Sequence, residues 1–487
     1  MKIEFLKNIS LLLITNILIR PLYIFGVDLK IQNILGPKEY GIFFILFDFA
    51  YLFLFVNDPG LQSFSVKSIA ENRENPRPEI GKFLSAKIVL SLCYILICVL
   101  FAYLTGYDSR RLWLTFLISS GFVLAGIFVM LRSVFSGLGH YTTDSYLSSL
   151  DKVLMILTLG SLTWGITGKV TSVEQVVIIQ NICYILAVSI AFCLLWKKMP
   201  GIPLNIEIKG IIQLLKQTLP YTGLMLLTAV CNRIDVVMLD FMRNDGEFQS
   251  GIYAAGYRFL DAANMFGYLF GGLLLPMYAH SSQNKSAIND LFNIAFKYLF
   301  LIALFISSVL IIFGKEIFTI LYSTDYHNHY QILTALMLSL TPIMVSHSTG
   351  SLLVATGKLY ALNITYGAAI IINVVLNWIF IPKYGALGSA YTTFFTEILI
   401  LVISVYLGIK LCKLNVEVQL LWKIILLITF PFLWNTVICK AIDWNWIIKG
   451  ITFSLIFLLI TIFLKFIDLK ELSKVVKFKN KINPNQL

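Results

Sequence analysis

The chain has 487 residues, of which 58% are hydrophobic and only 13% charged, and its mean hydropathy is +0.82. A soluble domain carries about 25% charged residues, so this composition excludes a cytosolic enzyme, a secreted protein and a nucleic-acid binder. The net charge of +12 therefore reads as membrane topology, because Lys and Arg concentrate in cytoplasmic loops.

Apolar stretches of about 20 residues cross a hydrocarbon layer about 30 Å thick. In chain order they predict spans near 7–28, 39–63, 83–106, 112–136, 146–167 and 173–196. The basic start, Met1 to Lys7, has no cleavage site and leads straight into the first of them. A second set lies near 217–241, 249–279, 289–313, 329–355, 359–381 and 386–409, and a final pair near 418–438 and 447–466. The expected fold is an all-α integral membrane protein of about fourteen transmembrane helices. One six-helix lobe covers 1–208, a second covers 209–410, and 411–487 holds two additional helices and a basic cytoplasmic tail. With the N-terminus in the cytoplasm, that side holds 21 Lys and Arg against 10 on the other, which places both termini inside. The seven cysteines fall mostly within apolar runs, without metal or redox spacing, and read as packing residues. No segment between spans is long enough for a soluble catalytic domain, so neither an enzyme nor a metal site is expected.

Three matches suggest a duplication. Leu13-Ile14-Thr15 precedes Arg20 as Leu226-Leu227-Thr228 precedes Arg233, an offset of 213. Gly41-Ile42-Phe43 returns as Gly251-Ile252-Tyr253 at offset 210, and Gly137-Leu138-Gly139-His140 resembles Ala355-Thr356-Gly357-Lys358 at offset 218. Repeats of six spans share one orientation and relate by an axis along the membrane normal, with a site near the midplane.

Seven basic residues remain inside spans: Arg20, Lys87, Arg132, Lys152, Arg233, Arg258 and Lys297. Lys87 and Lys297 lie early in theirs and are expected to snorkel. A charge at a helix centre costs about 2.5–3.5 kcal/mol and seeks a partner or a wet cavity. Arg258 has Asp261 one turn on, whereas Arg20, Arg132 and Arg233 have no acid at i±3 or i±4. By depth, Arg20, Asp48, Arg233 and Arg258 would share a layer, with Arg132 and Lys152 (beside Asp151) at an inner mouth. Two readings stand. Each arginine pairs with an acid on another helix, Asp48, Asp235, Asp240 and Glu397 being available. Alternatively Arg20, Arg132, Lys152, Arg233 and Arg258 line a cationic cavity for an anionic substrate, the guanidinium fork suiting phosphate. Tyr253 and Tyr257 are candidates to stack on a sugar. Glu397, Asp48 and Asp235 are candidates to carry a coupling proton or sodium ion, with Glu397 first because no basic residue lies within a turn of it.

Several segments carry a resemblance. They are Leu35-Gly36-Pro37-Lys38-Glu39-Tyr40-Gly41 with Asp58-Pro59-Gly60-Leu61, Asn232-Arg233-Ile234-Asp235, and Gly251-Ile252-Tyr253-Ala254-Ala255. The strongest is Asn373-Val374-Val375-Leu376-Asn377 with Ile381-Pro382-Lys383-Tyr384-Gly385-Ala386-Leu387-Gly388-Ser389-Ala390. Over most of residues 1–410 the chain resembles polysaccharide-transport proteins, the O-antigen flippase branch of the MATE-like exporter superfamily. The resemblance implies two six-helix bundles plus two extra spans. It also implies alternating-access export of an undecaprenyl-diphosphate-linked oligosaccharide, as in O-antigen and lipopolysaccharide assembly, across the bacterial inner membrane. The partners implied are this anionic lipid-linked oligosaccharide, membrane lipid and other polysaccharide-assembly proteins, with no cofactor beyond an ion gradient. The alternatives are a lipid II flippase, a multidrug/cation antiporter of the same fold, which would favour acids in its cavity, and a polysaccharide polymerase or ligase, which the short outer loops disfavour.

Overall fold

The computed structural model describes residues 18–466, apart from 73, 205–206, 282–283, 415–417 and 442–443. The start of the first expected span and the basic tail beyond 466 lie outside the described residues. Regular structure among those described is helical throughout. A helical stretch over 18–23 and a π-helical turn, Ile24–Asp28, lead into α1 (Leu29–Leu52). The long helices that follow are α2 (Arg77–Leu104), α3 (Ser109–Gly137), α4 (Leu150–Thr163), α5 (Val173–Lys198) and α6 (Ile208–Met242). After them come α7 (Gly246–His280), α8 (Lys285–Ile312), α9 (Tyr330–Ala355), α10 (Leu359–Tyr384), α11 (Ala386–Cys412), α12 (Val418–Leu433) and α13 (Trp446–Phe463). Among the described residues nine helices, α2, α3, α5, α7 to α11 and α13, are long and apolar enough to cross a membrane. The remaining long helices and the stretch before Gly36 complete an all-α membrane protein of about fourteen transmembrane helices.

The first boundary differs from expectation. Residues 28–33 look like a loop in the sequence because Asp28, Lys30, Gln32 and Asn33 interrupt the apolar run. They are helical, and the buried Asp28 accepts from the Tyr40 hydroxyl (3.0 Å) and from Gln32 Nε2 (3.2 Å). The break comes at Gly36, with φ 76° and ψ 169°. Glycine alone reaches that region without strain, and Pro37 suits the first turn of the next helix. The first span thus runs to 35 rather than 28.

The second span is itself broken. After Leu54–Asn57 the chain turns through Asp58-Pro59-Gly60, where Asp58 Oδ1 accepts from the backbone N–H of Gly60 (3.1 Å), and Leu61–Glu71 begins. Lys87 serves this break. It is fully buried, and its Nζ donates to the Asn57 carbonyl (2.7 Å), while Asn57 Nδ2 donates to Phe122 O (3.1 Å). Gly126 leaves the space, since a Cβ there would stand 2.7 Å from Nζ. The expectation that Lys87 snorkels is corrected: a carbonyl at the end of a discontinuous helix holds the ammonium inside. Lys297 instead donates to the Lys465 carbonyl (3.2 Å).

The chain divides into two compact units, one within 3–255 and 366–389, the other within 256–365 and 390–487. Lipid offers helices no hydrophobic drive to associate, so close approach of small residues matters. In the first unit Ala187, Ala191 and Leu195 of α5 pack in one core with Phe128, Leu131 and Phe135 of α3. In the second, Trp434, Phe453 and Phe457 of the final pair pack with Phe300, Leu304 and Val345. One crossing in the first unit is reciprocal: a Cβ on Gly41 would strike the Glu247 carbonyl, and a Cβ on Gly251 would strike the Pro37 carbonyl. Residues 37 and 247, like 41 and 251, stand 210 apart.

Candidate functional site

Helix α3 sets the scale of the site. Its N-cap Asp108 accepts from the Arg111 backbone N–H, and the helix carries Arg110 and Arg111 at one end and Arg132 at the other. From Arg111 to Arg132 is about 31 Å at 1.5 Å per residue, the thickness of a hydrocarbon layer.

At the Arg111 end Lys38, Arg110 and Arg111 each meet an acid. Arg111 Nη1 donates to Asp240 (2.9 Å) and Nη2 to Glu247 (2.8 Å), and Lys38 lies 3.6 Å from Glu247. Arg110 holds Glu39 (2.7 Å) and Glu174 (2.7 Å). Tyr107 donates its hydroxyl to Asp240 (3.1 Å), and burial, helped by Asp240, keeps that phenol well above its ordinary pKa. Nearby, Arg243 bonds Asp245 (2.8 Å) and holds its carboxyl below the usual range.

The Arg132 end is different. Arg132 Nε donates to Asp144 (2.8 Å), a carboxyl that burial raises and Arg132 opposes. Lys152 lies 3.5 Å from Asp151 and over the rings of Tyr23 (4.9 Å) and Tyr184 (5.7 Å). Gln180 Nε2 donates to the Tyr23 hydroxyl (3.2 Å). Arg20 is exposed, feels the charges of Asp151 and Arg132, and has no hydrogen bond or ion pair among the described residues. Among the described residues three cations here face two acids. The later first boundary explains why Arg20 joins Arg132 and Lys152 rather than the layer of Asp48 and Arg233.

Between the ends, Arg233 donates to the buried Asp48 (3.2 Å) and stands over the Tyr51 ring (5.0 Å). Arg258 lies 3.8 Å from Asp261 in the second unit. Asp235 is buried and accepts from Asn377 Nδ2 (2.6 Å) and the Tyr253 hydroxyl (3.3 Å), and Asn377 also donates to Asn373 (3.0 Å). Tyr253 is thus buried beside an acid. Glu397 is buried in α11. Among the described residues no group of His, Cys, Asp and Glu could hold a metal ion, and all seven cysteines are free. Sequence reasoning missed Tyr23, Gln180 and Tyr184, which carry no signal until helices are paired, and Asp28, hidden by the misplaced boundary. It also missed the role of Asn377, although an Asn at i+4 from Asn373 on an apolar helix marks one polar face.

A family model described as polysaccharide biosynthesis protein matches residues 5–282. Among solved structures, the lipid II flippase MurJ in an inward closed conformation superposes with a TM-score of 0.71 at 18% identity, covering 94% of this chain and 99% of that one. An inward-facing multidrug resistance MATE family transporter of the MOP superfamily gives a TM-score of 0.66 at 12% identity, covering 80% of this chain and 94% of the other. A MOP superfamily transporter from Pyrococcus furiosus gives 0.56 at 13% identity, covering 83% and 93%. At such identities the likeness is one of fold. No curated protein matches the sequence.

Proposed function

The chain belongs to the polysaccharide biosynthesis protein family, and from that premise we propose that it is a flippase for an undecaprenyl-diphosphate-linked oligosaccharide. The observation that carries this reading is the surplus of cations at the Arg132 end, where Arg20 has no ion-pair partner among the described residues. A diphosphate presents oxygens to more than one donor at once, which suits two guanidinium groups and an ammonium. The charge bias of the loops supports a cytoplasmic Arg132 end with both termini inside, and the family supports a bacterial inner membrane as the setting. Arg20, Arg132 and Lys152 load the headgroup there, and the lobes 1–208 and 209–410 rock about it, with 411–487 as an added pair. Arg233 and Arg258, each beside an acid, take the diphosphate further along. A cation antiporter would require acids where these cations stand. Coupling falls to the buried acids Glu397, Asp48 and Asp235, the last of which its amide and phenol donors orient; a bound proton or sodium ion there would help reset the empty carrier. The test is vesicle-reconstituted protein with a polyprenyl-diphosphate-linked sugar labelled in one leaflet. Arg20→Ala combined with Lys152→Ala should cut transfer at least about tenfold, or about 1.4 kcal/mol, with folded protein retained. Unchanged transfer would remove the assignment. Asp235→Asn should abolish the response to an imposed ion gradient.

A further inference from the structure

Helix α7 carries a polar face of which the headgroup reading uses Arg258 alone. Arg258, Asp261, Gly272 and Tyr268 fall within about a quarter turn of one another at 3.6 residues per turn. Intramembrane charges face the bundle interior or a wet cavity rather than lipid, and Tyr268, 59% exposed, stands on the same side of the helix. The exposed Phe266, Leu273 and Met277 lie on a different, apolar face, while the exposed Leu275 lies beside Tyr268.

Beside Tyr268 stands His347 of α9, its ring 4.9 Å away and tilted by 59°. His347 Nε2 donates to Asn264 Oδ1 (3.1 Å). That bond makes Nδ1 the acceptor of the imidazole and leaves the Asn264 amide as a donor. Neither His347 Nδ1 nor Asn264 Nδ2 has a hydrogen-bond partner among the described residues, and neither is among the fully buried atoms left without one, so both are open to a visiting group. Space for one exists: a Cβ at Gly271 would stand 3.6 Å from His347 Nδ1, and one at Gly272 would meet nothing within 4 Å.

We propose that Tyr268, His347 and Asn264, around the gap at Gly271 and Gly272, form a sugar-binding subsite that reads the oligosaccharide. A pyranose ring has an apolar C–H face that stacks on an aromatic ring, and hydroxyls that both donate and accept. Tyr268 supplies the ring, while Nδ1 and the amide supply an acceptor and a donor suited to neighbouring hydroxyls. No cation belongs to the trio, so it recognises sugar and not phosphate. This subsite rests on the flippase reading and adds substrate discrimination to it.

Binding of two probes to the purified full-length protein tests it: a polyprenyl diphosphate, and the same lipid carrying one N-acetylhexosamine. The sugar should tighten binding to the unmutated protein about tenfold, equivalent to about 1.4 kcal/mol. Tyr268→Leu and His347→Gln should each bring that ratio close to one, leave affinity for the bare diphosphate within about twofold, and differ from Tyr268→Phe, which keeps the ratio. Because His347 packs against Gly267, the exposed Tyr268 carries the test if the His347 variant does not fold. A ratio unchanged in Tyr268→Leu overturns the subsite, as does an unmutated protein that binds both probes alike; either result leaves the diphosphate reading intact. An unmutated protein that binds neither probe overturns both.

Discussion

The two ends of α3 hold arginines in opposite circumstances. Arg111 spends both its terminal nitrogens on acids of α6 and α7, within a set where Lys38, Arg110 and Arg111 meet Glu39, Glu174, Asp240 and Glu247. Arg132 satisfies one nitrogen on Asp144, in a group where, among the described residues, Arg20 and Lys152 have Asp151 between them. Three cations that bridge four acids across helices fix the geometry of that end. At the other end Arg20, Arg132 and Lys152 meet two acids, Asp144 and Asp151, among the described residues, and Arg20 makes no ion pair there. The comparison sets a helix end knitted by ion pairs against one that keeps an unpaired positive charge.

The comparison breaks most visibly at Arg111. Arg111→Met leaves Asp240 without its cation and Glu247 with Lys38 alone, and removing one partner of a buried pair costs about 3–5 kcal/mol; the detergent-solubilised protein should melt far lower or fail to accumulate. Next is the glycine crossing. Gly41→Val drives a side chain into the Glu247 carbonyl and should cost about 1–3 kcal/mol by overpacking, read in the same melts. At the other end the stability effect should nearly vanish: Arg20→Ala should stay within about 0.5 kcal/mol while lowering transfer in vesicles. Stability loss there as large as at Arg111 would erase the distinction between the ends. Smallest is Arg243→Ala, an exposed pair with Asp245 worth about 0.2–1 kcal/mol, whose melting point should hardly move and should be less sensitive to salt than that of the unmutated protein.

Hydropathy alone was enough to show the membrane class and the run of helices, because a chain this poor in charge has no other way to hide its backbone. Depth was legible only where boundaries were. Asp28 and Lys30 gave the first span a false end, and with it Arg20 a false level. Partners were legible only along one helix. Searching i±3 and i±4 found Asp261 for Arg258, yet Arg233 finds Asp48 on α1, and Arg132 finds Asp144 in the short helix Tyr141–Leu147. Asp240 was marked as available, but its partner, Arg111, had been set aside as a loop residue. Lys87 shows the same limit: nothing in α2 reveals that a carbonyl from a broken neighbour awaits it.

The reciprocal crossing of Gly41 and Gly251 has a historical meaning. A contact in which residue 37 meets 251 as 247 meets 41 is what a two-fold pair of half-length chains presents to itself. In such a pair any substitution strikes twice, once in each copy, so charges at equivalent places are bound to repel. Joining the copies ends that constraint. Asp48 and Arg258, 210 residues apart, now carry opposite signs. Lys87 and Lys297, separated by the same interval, keep one residue type for two tasks, holding a broken helix inside and reaching the carbonyl of Lys465. The halves of this chain share one glycine crossing and differ in the charges that stand at equivalent places, so each half is free to meet a different partner.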